Sequence, residues 1–144
     1  MRRYGQSVQA NIRYKHRPGV YGVILHDGNV MLTHQTWPDA EVQLPGGGID
    51  PGESAVQALH RECLEETGWR IRIDRRLGAY QRYTYMKDYE FWAQKICHIY
   101  LCRPVYKLHE PTEPYHSTVW TDVDHALELM SNEGDRDFLR SVLY

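Results

Sequence analysis

The stretch Pro45-Gly46-Gly47-Gly48-Ile49-Asp50-Pro51-Gly52-Glu53-Ser54-Ala55-Val56-Gln57-Ala58-Leu59-His60-Arg61-Glu62-Cys63-Leu64-Glu65-Glu66-Thr67-Gly68-Trp69 decides how the chain is read. Its second half is a helix with both ends written out. Ser54 caps the start, and Gln57, three residues on, can reach back to it, which is a capping box. Gly68 suits the left-handed position after the last turn, with Trp69 expected over Leu64. The helix should therefore run from about Ala55 to about Glu66. Pro51-Gly52 belongs to the turn before it. The run Gly46-Gly47-Gly48 lets the backbone come close to a metal or a phosphate. It is not a P-loop, because no Gly-Lys-Ser/Thr follows.

Glu62, Glu65 and Glu66 carry the chemistry. At about 100° per residue they fall within one arc of the helix. Like charges so placed repel one another. They also occupy the last turn, where the helix dipole disfavours acids by about 0.3–1 kcal/mol each. Three violations of one local rule mark a functional site. A hard divalent cation, Mg²⁺ or Mn²⁺, would relieve both penalties, since it takes oxygen ligands. Arg61 is positioned to pair with Glu53 or Glu65. Val56, Leu59 and Cys63 form the apolar stripe expected to dock the helix. Ala55, Ala58 and Leu59 lie near the acidic face, where two small residues leave room for a ligand.

Outward from this segment the pattern is mixed. Val20–Leu25 and Val30–Thr33 flank Asp27-Gly28, a turn dipeptide, and predict a hairpin. Glu41–Leu44 is a short extended piece. Arg70–Ala79, Gln81–Tyr85 and Phe91–Cys102 read as strands, the last stopped by Pro104. Leu108–Tyr115, with two prolines, reads as a loop. Thr118–Trp120 is a short strand, and Val123–Met130 and Asp135–Val142 read as helices. The order predicts one domain over residues 1–144 in which helices cover a sheet, an α/β arrangement.

The residues Gly47, Glu53, Arg61-Glu62-Cys63-Leu64-Glu65-Glu66-Thr67-Gly68-Trp69 resemble the signature of the Nudix hydrolases. That signature is Gly, five residues, Glu, seven residues, Arg-Glu, an apolar residue, any residue, Glu-Glu, any residue, Gly and an apolar residue. Cys63 and Trp69 take the apolar positions, where aliphatic residues are commoner. The resemblance implies an α/β/α sandwich around a mixed sheet. It implies hydrolysis of a nucleoside diphosphate linked to another moiety, with a divalent metal, usually Mg²⁺. By position, Glu62, Glu65 and Glu66 would be metal ligands, and the Gly47 carbonyl a further one. Glu53 and Arg61 would orient them. Glu65 is the first choice for the general base, with Glu110 and Glu113 as outside candidates. Tyr85 resembles a mark of the dinucleoside polyphosphate hydrolases. The proline of ADP-ribose pyrophosphatases and the motif of NADH pyrophosphatases are missing. Oxidised nucleoside triphosphates and nucleotide sugars stay open as substrates. A non-catalytic ligand-binding module and an RNA 5′-end pyrophosphohydrolase are the alternatives.

Composition narrows the rest. With 42% apolar and 25% charged residues in 144, the chain has a globular balance, and no apolar run reaches the ~20 residues of a bilayer span. No secretory leader is expected at Met1-Arg2-Arg3. The formal charge of -2 does not select nucleic acid. Arg70, Arg72, Arg75 and Arg76 read as a solvated strand edge. Cys63, Cys97 and Cys102 lack paired spacing, which fits a reducing, cytoplasmic setting. The eight histidines, His16, His26, His34, His60, His98, His109, His116 and His125, show no metal motif. Tyr80, Tyr83, Tyr85, Tyr89, Phe91, Trp92 and Trp37 are candidates for stacking a base. A homodimer is compatible with the sequence, and Met1–Arg17 has no assigned role.

Overall fold

The computed structural model describes residues 1–143. The Asp27-Gly28 turn forms as its sequence predicts: both residues take positive φ, 49° and 79°, and join β2 (Lys15–His26) to β3 (Asn29–Gln35). The other strands are β1 (Arg2–Gly5), β4 (Glu41–Gln43), β5 (Gly46–Gly48), β6 (Trp69–Met86), β7 (Phe91–Lys107) and β8 (His116–Asp122). The helices are α1 (Ala55–Thr67), α2 (Val123–Leu129) and α3 (Glu133–Ser141). The sheet order is β1-β6-β7-β2-β3-β4, with β5 beside β2 and β8 beside β3. The β1/β6 and β2/β7 pairs are parallel and the others antiparallel, so the sheet is mixed.

The run Val20–Leu25 is almost continuously apolar because both faces of β2 are covered. Val20 and Ile24 pack with Ala58, Leu59 and Cys63 of α1. Tyr21 and Val23 join Ala126 of α2 and Leu139 of α3 in the other core. This is the expected α/β/α layering. No helix among the described residues is long and apolar enough to cross a membrane.

Several expectations need correction. The docking stripe of α1 is Ala58, Leu59 and Cys63, all fully buried, whereas Val56 is 40% exposed. Ala58 and Leu59 therefore leave no room for a ligand on that side. The glycine run forms strand β5 beside β2. A Cβ at Gly46 would collide with Val20 and Tyr21, so only glycine lets β5 lie this close. The two pieces before and after Tyr80 are one strand with irregularities near Arg70, Asp74 and Leu77. Pro104 does not stop β7. Pairing with β2 ends at Cys102, and beyond it that side of β7 is a free edge, where proline is tolerated. Residues 2–5, without an assigned role, add a strand beside Tyr80–Tyr83. Arg70, Arg72, Arg75 and Arg76 are exposed on β6, as a solvated edge should be.

Candidate active site

Helix α1 carries the site, and its ends are closed by the residues expected to do so. The Gln57 N–H donates to Ser54 Oγ at 3.1 Å, and the Ser54 N–H donates to Gln57 Oε1 at 2.9 Å. At the other end Gly68 has φ 75° and its N–H donates to the Leu64 carbonyl. Trp69 packs edge-on against Trp120, with centroids 5.8 Å apart. The loop after β7 then docks on the helix end. The N–H of Leu108 donates to Gly68 O, and those of Thr112 and Glu113 donate to Glu65 O, each at 2.8 Å. These bonds satisfy carbonyls that a helix end leaves open. They also bring Glu113 to the site and start β8 at His116.

Arg61 organises the acids. Its Nε and Nη2 donate to both oxygens of Glu53 at 2.8 and 2.9 Å, a bidentate pair. Its Nη2 also donates to the Gly48 carbonyl at 2.9 Å, and its Nη1 to Glu62 at 3.0 Å and Glu65 at 3.2 Å. Glu53 further accepts the Asp50 N–H. The Arg61 hydrogen bonds hold the Glu53 carboxyl down at about 2, and the same bond to Glu53 pushes the guanidinium further up.

Glu66 is buried and Glu62 half-buried, their side chains 6% and 14% exposed. The Glu62 carboxylate lies against Gly47, where a Cβ would stand 2.5 Å from its carboxyl carbon. Glycine at position 47 is thus a requirement of space. Burial, then the charge of Glu66, raises the Glu62 pKa to about 7 against the pull of Arg61. Glu66 accepts the Gly46 N–H at 2.9 Å and faces His116 Nε2 at 3.1 Å. Burial raises Glu66, while these partners oppose the rise. His116 Nδ1 stands 2.9 Å from the Pro114 carbonyl. Both ring nitrogens thus face oxygens, and the bond to Glu66 raises the imidazole to about 9.

A cleft of about 230 Å³ opens over Glu62, Glu66 and Gly47, with Glu113 and His116 on its wall. The same cleft is lined by Arg17, Arg82 and Lys95, by Tyr85 and Tyr89, and by Asp39, Glu41 and Asp88. Of the expected site residues, Gly47, Glu62 and Glu66 meet in this cleft, while Glu65 and Glu53 are gathered by Arg61. Glu110 instead pairs with Lys107. Tyr80 is 1% exposed and belongs to the core. Trp37 lies against Tyr115. Sequence reasoning passed over His116 as one histidine among eight, because no local motif ties it to an acid fifty residues earlier.

The donor set fits a hard cation. No group of three or more acids, histidines or cysteines among the described residues already converges to coordinate a metal. Glu62 nonetheless feels the charge of Glu66, Arg61 divides its hydrogen bonds among Glu53, Glu62 and Glu65, and burial pushes Glu62 toward neutrality. A divalent ion with oxygen ligands would offset this crowding of negative charge.

The family model of the NUDIX domain matches residues 15–142, and the chain belongs to this family. Among its relatives, a Bacillus subtilis (strain 168) protein provisionally named 8-oxo-dGTP diphosphatase is 39% identical over 64 residues, 44% of this chain and 43% of that protein. An RNA pyrophosphohydrolase of Pectobacterium carotovorum subsp. carotovorum (strain PC1) is 36% identical over 83 residues, 56% of this chain and 47% of that protein. The chain thus spans less than half the length of these relatives. Among solved structures, a NUDIX hydrolase from Nitrosomonas europaea superposes with a TM-score of 0.71 at 20% identity, covering 88% of this chain and 87% of that one. A MutT protein from Methanosarcina mazei Go1 superposes with a TM-score of 0.70 at 20% identity, covering 91% and 95%. Both structures share the fold.

Proposed function

We propose that residues 1–144 act as one Nudix domain, a metal-dependent pyrophosphohydrolase cleaving a nucleoside diphosphate linked to another moiety. Dinucleoside polyphosphates, ADP-ribose, nucleotide sugars and nucleoside triphosphates all have this chemistry. One observation carries the reading: Glu62, packed against Gly47, and Glu66, held by the Gly46 N–H, line one cleft together with Arg17, Arg82 and Lys95. Glu62, Glu65, Glu66 and the Gly47 carbonyl would hold Mg²⁺ or Mn²⁺. Bound there, such an ion would neutralise diphosphate oxygens and acidify a bound water.

The chain's own residues do the rest. Arg61, clamped by Glu53, fixes Glu62 and Glu65. His116 and the Gly46 N–H fix Glu66. Such fixed geometry is the main resource for phosphoryl transfer. Glu65 is the proposed base that takes the water proton. Glu113 is the alternative because it lines the cleft. The four box acids are all present, which supports an enzyme over a binding module. The names of several relatives and the cations of the cleft favour an RNA 5′ end as a second substrate reading.

The test is a panel with Mg²⁺ and product chromatography: ADP-ribose, diadenosine tetraphosphate, a nucleotide sugar, normal and oxidised nucleoside triphosphates, and triphosphorylated RNA, with Glu66→Gln alongside. Metal-dependent cleavage of one class, lost in Glu66→Gln, is the expected result. A folded, metal-binding protein that cleaves none of them refutes the reading.

A further inference from the structure

Three cations stand in one row on the cleft wall. Arg17 of β2 is paired with Lys95 of β7, and Lys95 is paired with Arg82 of β6. Paired positions on neighbouring strands project to the same face. All three residues line the cleft that holds Glu62 and Glu66, and all three are half-buried. Among the described residues none of them forms an ion pair with an acid. Arg17 lies over the Tyr89 ring, 4.8 Å from its centroid. The buried Asp135 feels Arg82 and Lys95, but its oxygens are taken by the Tyr80 hydroxyl and the Leu44 N–H.

Like charges directly opposite in a sheet are destabilising, and neutral residues would serve the strands equally well. An anion that brings its own charge accounts for the row. Two strand spacings make it about 10 Å across, which suits a linear polyanion better than one phosphate.

We propose that Arg17, Lys95 and Arg82 form a rail for a triphosphate, so that the substrate carries three linked phosphates rather than the two of ADP-ribose or a nucleotide sugar. This rests on the pyrophosphohydrolase reading of the same cleft and narrows its substrate. The triphosphate is that of a free nucleotide or of an RNA 5′ end.

The experiment compares the whole chain with Lys95→Met and Arg82→Gln, and with Arg76→Gln as a control whose partner is His98. Hydrolysis of GTP, a 5′-triphosphorylated RNA and ADP-ribose is measured with Mg²⁺. Losing one charged contact to the substrate should raise KM for the triphosphates by about 10- to 100-fold. The variants should change kcat by less than about 3-fold, the signature of lost uniform binding, and should cost ADP-ribose several-fold less than they cost the triphosphates. The larger kcat/KM of the two triphosphates names the source. An unchanged triphosphate KM, or an equal loss on ADP-ribose, overturns the rail.

A calorimetric titration with inorganic triphosphate and pyrophosphate separates the two readings. The wild type should prefer triphosphate by at least about 10-fold, and Lys95→Met should lose that preference. Equal affinity overturns the rail even if hydrolysis persists. Selective triphosphate binding without hydrolysis of any substrate keeps the rail and refutes the enzyme. Without phosphate, Lys95→Met should melt about 1–4 °C higher, because a facing like charge is gone. A lower melting point would contradict the charge strain on which the rail is argued.

Discussion

Glu62→Gln should make the metal-free protein more stable while disabling the proposed metal site. The Glu62 carboxyl sits at about 7 instead of 4.5, through burial and the charge of Glu66. Between those two pH values the unfolded chain holds fewer protons than the folded one, so stability falls as pH rises across the window and returns below it. At about 1.36 kcal/mol per pH unit, the ionised side chain costs the folded state roughly 3 kcal/mol at pH 8. Glutamine still accepts the Arg61 hydrogen bond now made to Glu62, so little is lost in exchange. In EDTA at pH 8 the variant should gain about 1–3 kcal/mol, or roughly 3–8 °C in Tm for a chain of this size. At pH 5 the gain should shrink to below about 1 kcal/mol, since the wild-type carboxyl is mostly protonated in the fold. Added Mg²⁺ should raise the Tm of the wild type, by about 2.7 kcal/mol of stability at a hundredfold excess over Kd, and do much less for the variant. Calorimetry at the two pH values, with and without metal, reads all of this. A variant no more stable than wild type at pH 8, or a gain that ignores pH, would refute the argument from buried charge.

Other substitutions probe the remaining parts of the site. Glu65→Gln and Glu66→Gln should each lower kcat by at least about 100-fold with the fold intact by circular dichroism, as loss of a base or an electrostatic anchor does. Near-wild-type turnover in both would reject their assignment. Gly47→Ala places a methyl within 2.5 Å of the Glu62 carboxyl carbon, so activity and metal affinity should fall together, each measurable on the purified variant. Glu53 is held at about 2 rather than 4.5 by Arg61. Its contribution to stability is complete above 4.5 and is lost as pH falls toward 2. The gap in Tm between wild type and Glu53→Gln should therefore close over that range.

Short-range chemistry was legible in the chain. Ser54, Gln57 and Gly68 mark the ends of α1 because capping bonds join residues within four positions of each other. Asp27-Gly28 marks its turn for the same reason. The spacing from Gly47 to Trp69 sufficed to place the chain in its family before any coordinate was known. Helical periodicity put Glu62, Glu65 and Glu66 on one arc, and the neighbouring Arg61, Glu53 and glycine run singled them out as a candidate site.

Tertiary structure decided what those residues do. Glu65 and Glu66 are neighbours in sequence, yet Glu66 is buried against Gly46 and His116 while Glu65 turns to Arg61. The difference is set by the angle at which α1 docks, through Ala58, Leu59 and Cys63 rather than Val56. His116 reaches Glu66 only because the loop before it is bonded to the end of α1. The cationic row of Arg17, Lys95 and Arg82 exists only in the register of three strands that are far apart in the chain. Periodicity reports the partners of a residue within its own element. Which strand lies beside it, and at what offset, is settled by packing between distant segments, and no local pattern contains it.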